Sequence, residues 1–219
     1  MPHLIVIVGP CGSGKSTLEN TFCKLRGFGK CISTTTRDIR SGEVNGVDYH
    51  FTSKTSFELM VENGEFVETG FFGGHHYGLS KASLKEAALA GNGVAVLVAE
   101  IEGWQTIERE IAHTYSWADP DLYSAYKSWT TTGIFLHVRP GIAAARLTTR
   151  GDLFGDKLKR RIQGIPDELK NVSHFINSPH GRVLYEPTLK QSITFVEQYD
   201  PSAAVKTEAK LDQVSYQPR

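Results

Sequence analysis

Nine residues, Gly9-Pro10-Cys11-Gly12-Ser13-Gly14-Lys15-Ser16-Thr17, stand directly behind an apolar run at positions 4–8. They spell G-x-x-x-x-G-K-[ST] in the order strand, glycine-rich turn, helix, which few architectures accommodate. Backbone N–H groups of such a turn converge on a phosphate, and the helix that follows points its positive end at the same anion. Gly9, Gly12, Ser13, Gly14, Lys15, Ser16 and Thr17 are therefore the candidates to cradle a nucleoside triphosphate. Lys15 would reach the β/γ oxygens and the Ser16 hydroxyl would hold Mg²⁺. The loop specifies phosphate binding and leaves the reaction open.

The rest of the chain supplies the frame for that loop. Apolar runs at 4–8, 94–98 and 134–138 read as buried parallel strands. Periodicity predicts helices over about 14–25, with Leu18, Phe22 and Leu25 on one face, and near 56–63, 81–90, 142–149, 166–175 and 187–199. Short β pieces are expected at 49–51 and 66–72, with a last strand beginning at 174–176. Ser41-Gly42, Asn45-Gly46 and Gly73-Gly74 mark turns, and His75-His76 reads as part of the last of these, without the spacing of a metal site. Strands alternating with helices give an α/β fold with a central parallel sheet.

A chain of 219 residues builds one sizeable core, and its 24 basic and 24 acidic side chains cancel. That balance offers no large basic field to a nucleic-acid polymer. The run at 4–8 is too short for a membrane span or a signal segment. Three cysteines without metal spacing fit reduced thiols in the cytoplasm. Cys11 lies inside the loop, where N–H dipoles could lower its pKa, or it is simply an unconstrained loop position.

Residues 33–40, Ser-Thr-Thr-Thr-Arg-Asp-Ile-Arg, set Arg37 and Arg40 three apart behind a run of hydroxyls. Alone they could be a solvated surface pair. Beside a first phosphate site, two planar guanidinium forks suggest a second anion clamp. The stretch Ser33-Thr-Thr-Thr-Arg37-x-x-Arg40-x-Gly42-Glu43-x-Asn45-Gly46-x-Asp48-Tyr49-x-Phe51 resembles the guanylate kinase family. So do Gly64-Glu65-Phe66-x-Glu68, Gly74-x-x-Tyr77-Gly78 and Ser80-Lys81, and the resemblance covers roughly residues 3–178.

That resemblance implies a three-layer P-loop kinase fold in one domain over 1–219. Its core would be 1–32, 94–147 and 164–199, its small mixed α/β subdomain for the nucleoside monophosphate 33–93, and its lid 148–163. An insertion at about 111–133 and a polar tail at 200–219 complete the chain. It implies transfer of the γ-phosphate of Mg-ATP to GMP or dGMP by a monomer or homodimer acting on free nucleotides. Ser33, Arg37, Arg40, Tyr49 and Tyr77 would bind the acceptor phosphate. Glu68, with Leu79, Ser80 and Glu100, would face the base. A carboxylate only accepts, and guanine presents two adjacent donors at N1 and the 2-amino group, where adenine presents none. Arg146, Arg150 and Arg161 fall on the family's basic positions, the last two reaching over the transferring phosphate, and Asn177 matches a position near the adenine of ATP.

Three departures from the family pattern are visible. Leu79 stands where a hydroxyl residue follows Tyr-Gly, and an Asp-x-Asp pattern is replaced by Val98 and Glu100. An aromatic-rich insertion carries Trp117, Tyr123, Tyr126 and Trp129, which could pack on the core, cover a substrate or form a subunit contact. The first two leave open an acceptor with a modified or 2-aminated purine base. A non-catalytic, protein-binding version of the fold is the other alternative, although Lys15, Ser16 and the basic positions are all present.

Overall fold

Every residue of β1 (His3–Val8) is buried, because layers cover both faces of the sheet to which it is central. The computed structural model describes residues 2–112, 129–151 and 154–200. Within it β1 lies between β7 (Val94–Val98) and β8 (Thr130–His137), flanked by β2 (Gly29–Lys30) and β9 (Gly181–Tyr185). The order is β2-β7-β1-β8-β9, with every pairing parallel. Chain connections leave β1 toward one edge and later cross to the other. The crevice past the carboxyl ends of β1 and its neighbours is where such sheets bind ligands.

Strand alternation divides the core in two. Ile5 and Ile7 point to a layer with Leu18 and Phe22 of α1 (Lys15–Arg26) and Val196 of α8 (Leu189–Gln198). Leu4, Val6 and Val8 point to the opposite layer. There they meet Leu84 and Ala87 of α3 (Lys81–Ala90), Trp104 and Ile107 of α4 (Ile101–Ala112), and Phe175 of α7 (Val172–Ile176). Trp104 stacks on Phe175 at 5.3 Å, over a site where a Cβ on Gly133 would come within 2.6 Å of the indole. Leu25, expected on the core face of α1, is about half exposed, because the helix ends there at Gly27 in the left-handed conformation.

A second, four-stranded sheet, ordered β4-β3-β6-β5, stands over the crevice. It comprises β3 (Thr34–Thr35), β4 (His50–Phe51), β5 (Phe66–Phe72) and β6 (His75–Ser80). Phe57 of α2 (Lys54–Glu62) stacks on Phe66 at 4.6 Å and holds the helix to it. Gly73 and Gly74, both at positive φ, make the two-residue hairpin between β5 and β6. His75 and His76 are strand residues of that hairpin rather than turn residues, because the turn needs only the two glycines. The α3 part of the expected 33–93 subdomain packs on the main sheet.

Beyond the second sheet the expectations shift in register. β8 starts four residues before the apolar run at Ile134, since the buried, β-branched Thr131 and Thr132 extend it. Pro166, expected to open a helix, lies inside α6 (Gly155–Leu169). An interior proline costs about 3 kcal/mol. The apolar stripe of Leu158, Ile162, Ile165 and Leu169, packed on Val138 and on Ala143 and Leu147 of α5 (Pro140–Arg150), offsets that cost. Residues 174–176, expected to begin the last strand, complete α7, and the strand follows at β9. The expected lid thus consists of the end of α5, the connection after it and the first half of α6. Trp129 packs against the core, whereas Trp117, Tyr123, Tyr126 and the tail from 201 lie outside the described residues.

Candidate active site

The two sheets enclose a cleft of about 710 Å³, with the phosphate loop as its floor. Backbone geometry fixes the loop. Gly12 has φ +79°, and a Cβ there would lie 2.5 Å from the carbonyl oxygen of Ala143; a Cβ on Gly9 would lie 2.7 Å from that of Leu136. Both positions exclude larger residues. Gly14, also left-handed, caps α1, so Lys15, Ser16 and Thr17 begin the helix and line the cleft. Lys15 Nζ folds back to donate to the carbonyl of Gly9 at 2.5 Å. The Ser13 hydroxyl is buried with no hydrogen-bond partner among the described residues, an unusual cost unless a bound group supplies one.

Helices α5 and α6 grip the loop from the far side. Arg146 Nη1 donates to the carbonyls of Gly12 and Ser13 at 3.3 and 3.2 Å. Glu168 Oε2 accepts the backbone N–H of Cys11 at 3.0 Å. Burial raises the pKa of Cys11, outweighing the nearby cations, so its thiol is held protonated instead of activated. Arg161 Nη1 lies 3.6 Å from the Cys11 sulfur, and Arg146, Arg150 and Arg161 all line the cleft.

Facing the loop is a second cationic group. Arg37 is almost fully buried and makes a two-pronged contact with Glu43, at 3.0 and 2.8 Å, while its guanidinium lies over the rings of Tyr49 and Phe51. Glu43 also accepts the backbone N–H of Arg40 at 2.8 Å. One carboxylate therefore fixes both arginine positions. Tyr77 meets Tyr49 edge to face at 6.0 Å, and Ser33, Arg37, Arg40, Tyr49 and Tyr77 share the cleft wall. Glu43 belongs to the Ser-Gly-Glu turn of the sequence motif, but nothing in its spelling shows that it is the arginine clamp.

Deeper in the cleft, Glu68 is buried, and its Oε1 accepts the backbone N–H of Leu79 at 3.0 Å. Burial, helped by the neighbouring charge of Glu100, raises its pKa to about 7. Gly103 leaves room for it: a Cβ there would lie 2.7 Å from Oε2. Glu100 and Val98 line the same region, and Val98 offers no oxygen to a ligand. Leu79 and Ser80 do not line the cleft. The Leu79 side chain is wholly within the core, and the Ser80 hydroxyl is committed to capping α3 through Ser83 N–H at 3.1 Å. Asn177, the exposed C-cap of α7, also lies outside the cleft lining, and Gly9 enters the site through its carbonyl only. A buried carboxylate on α1, Glu19, lines the cleft 3.7 Å from Lys30; burial raises its pKa to about 7.

A phosphate loop opposed across one cleft by a clamped arginine pair and a buried carboxylate is the arrangement expected from the sequence motifs, and the family model for guanylate kinase matches residues 1–116. This chain belongs to the guanylate kinase family. A guanylate kinase of Wolinella succinogenes is 34% identical over 173 residues, 78% of this chain and 73% of that protein. One of Desulfitobacterium hafniense is 30% identical over 176 residues, 78% of each chain. The pig guanylate kinase is 38% identical over 110 residues, so the match spans about half of each protein, 49% of this chain and 55% of the relative. The crystal structure of guanylate kinase from Anaplasma phagocytophilum shares the fold, with a TM-score of 0.60 at 20% identity, over 90% of this chain and 82% of that one. Arg146, Arg150 and Arg161 line the cleft beside the phosphate loop, and Arg146 and Arg161 each contact a group of that loop.

Proposed function

We propose that this chain transfers the γ-phosphate of ATP to GMP or dGMP. The observation that carries the reading is Glu68: a buried acceptor at the end of the cleft, in the same cavity as the phosphate loop. Ionised, it accepts from N1–H and the 2-amino group of guanine; opposite adenine its remaining lone pairs would find no donor on the base, a cost that separates the two bases. Arg37, Arg40, Tyr49, Tyr77 and Ser33 hold the acceptor phosphate, and Gly12–Thr17 hold the donor. Lys15, Arg150 and Arg161 stabilise charge on the equatorial oxygens during in-line transfer, which needs positioning and electrostatics and no covalent enzyme intermediate. Leu79 serves this reading through its backbone N–H on Glu68, and the Leu79, Ser80 and Asn177 side chains have no part in it.

The donor set suits magnesium. Among the described residues no group of three or more His, Cys, Asp or Glu side chains is placed to cage a cation. Ser16 lines the cleft at the head of α1, and magnesium takes most of its ligands from phosphates and water. Bound by Ser16 and the nucleotide, it would neutralise charge on the β- and γ-phosphates. A cytoplasmic setting accords with three free cysteines, and no described helix is long and apolar enough to cross a membrane. Coupled ADP release with GMP, dGMP, AMP, CMP and UMP tests the proposal. Turnover confined to the guanine nucleotides is expected, and none with either of them would refute it.

A further inference from the structure

Past the irregularity between Phe66 and Glu68, strand β5 runs regularly, so Glu68, Gly70 and Phe72 lie on one face. All three line the cleft. At the end of that face the Arg161 guanidinium lies 4.2 Å from the centre of the Phe72 ring. The next residue, Gly73, admits it: a Cβ there would be 2.6 Å from Arg161 Nη2. The other terminal nitrogen reaches Cys11 of the donor loop. One arginine from α6 is thus held between the acceptor hairpin and the donor loop.

A flexible arginine loses rotamer freedom when it is fixed, and its flat, weakly hydrated head stacks on an aromatic face. Resting on the kinase reading above, we propose that Phe72 is a positioning residue. Its ring is the platform that sets Arg161 over the donor loop. The strand that reads the acceptor base through Glu68 would then place the arginine four residues further on.

Steady-state kinetics with ATP and GMP on Phe72→Ala, Phe72→Leu, Phe72→Trp, Arg161→Ala and the Phe72→Ala/Arg161→Ala pair test this, with thermal unfolding as the folding control. Phe72→Ala and Phe72→Leu should lower kcat about tenfold while both KM values stay within about twofold. Phe72→Trp should restore kcat, and Phe72→Ala should have no further effect once Arg161 is removed. Leucine performing as well as tryptophan, or additive losses in the double variant, would overturn the platform. An inactive wild-type protein would overturn the kinase reading itself, so the two failures are distinguishable.

Discussion

Glu168 Oε2 accepts the backbone N–H of Cys11 at 3.0 Å, a bond that ties α6 to the backbone of the phosphate loop. The bond occupies a loop donor that would otherwise be left without a partner, and Arg146 satisfies two carbonyls of the same loop. The loop is therefore shaped by α5 and α6 before any nucleotide enters. Pre-organisation of this kind lowers the cost of binding.

Replacing Glu168 with Ala should raise the KM for ATP roughly tenfold, about the worth of one hydrogen bond to a charged group, and leave the KM for GMP within about twofold. Glu168→Gln keeps an accepting oxygen and should recover most of the loss. Initial rates with each nucleotide varied in turn decide it; equal effects on both KM values would count against a donor-side role.

Glu43 should matter on the other side of the cleft. Glu43→Ala leaves Arg37 buried without its two-pronged partner. The KM for GMP should rise about tenfold or more, and ATP binding by the free enzyme should be unchanged. Isothermal titration with each nucleotide separates these outcomes.

The Glu68 carboxyl gives a pH dependence whose sign can be stated. Its pKa in the folded chain is about 7, above the ordinary 4.5, because burial disfavours the charge. Below about 4.5 both states are protonated; between 4.5 and 7 the folded state holds the extra proton, so stability of the free protein falls as pH rises through that window. Glu68→Gln should remove that slope and stabilise the free protein at pH 8, by roughly 3 kcal/mol at most. Binding has the opposite trend: GMP needs the ionised form, so its KM should rise below pH 7. Denaturant unfolding and kinetics across pH 5–8 measure both. A GMP KM that is flat with pH would break the link between Glu68 and the base.

Gly12→Ala should disable the donor site. It forces an unfavourable φ and drives a Cβ to 2.5 Å from the Ala143 carbonyl oxygen, a backbone atom that cannot yield without moving α5. Loss of measurable ATP binding with the fold retained by circular dichroism is the expected result.

Much of this was legible in the sequence, for identifiable reasons. The loop, β7 and α3 follow from local rules: glycine spacing, an unbroken apolar run, and a helix ended at Gly91. The residues proposed to bind the acceptor phosphate share one cleft wall, and the motif that names most of them is compact in sequence. What escaped depends on contacts between distant segments. Glu168 is 157 residues from the Cys11 amide that it holds, and no spacing rule connects them. The sequence motif points Leu79 at the base, but its side chain is in the core, because strand β6 leaves the cleft after Tyr77 as it approaches α3. Proline favours the first turn of a helix, and at Pro166 the packing of Ile162, Ile165 and Leu169 overrides that preference.

The most direct test of guanine recognition by Glu68 compares kcat/KM for GMP with that for inosine monophosphate, in the wild type and in Glu68→Gln. The two acceptors share the 6-oxo group and N1–H and differ only in the 2-amino donor. A preference for GMP of about a hundredfold, collapsing toward unity in the variant, is the expected result. Equal efficiency with both acceptors, or a preference untouched by the substitution, would contradict it.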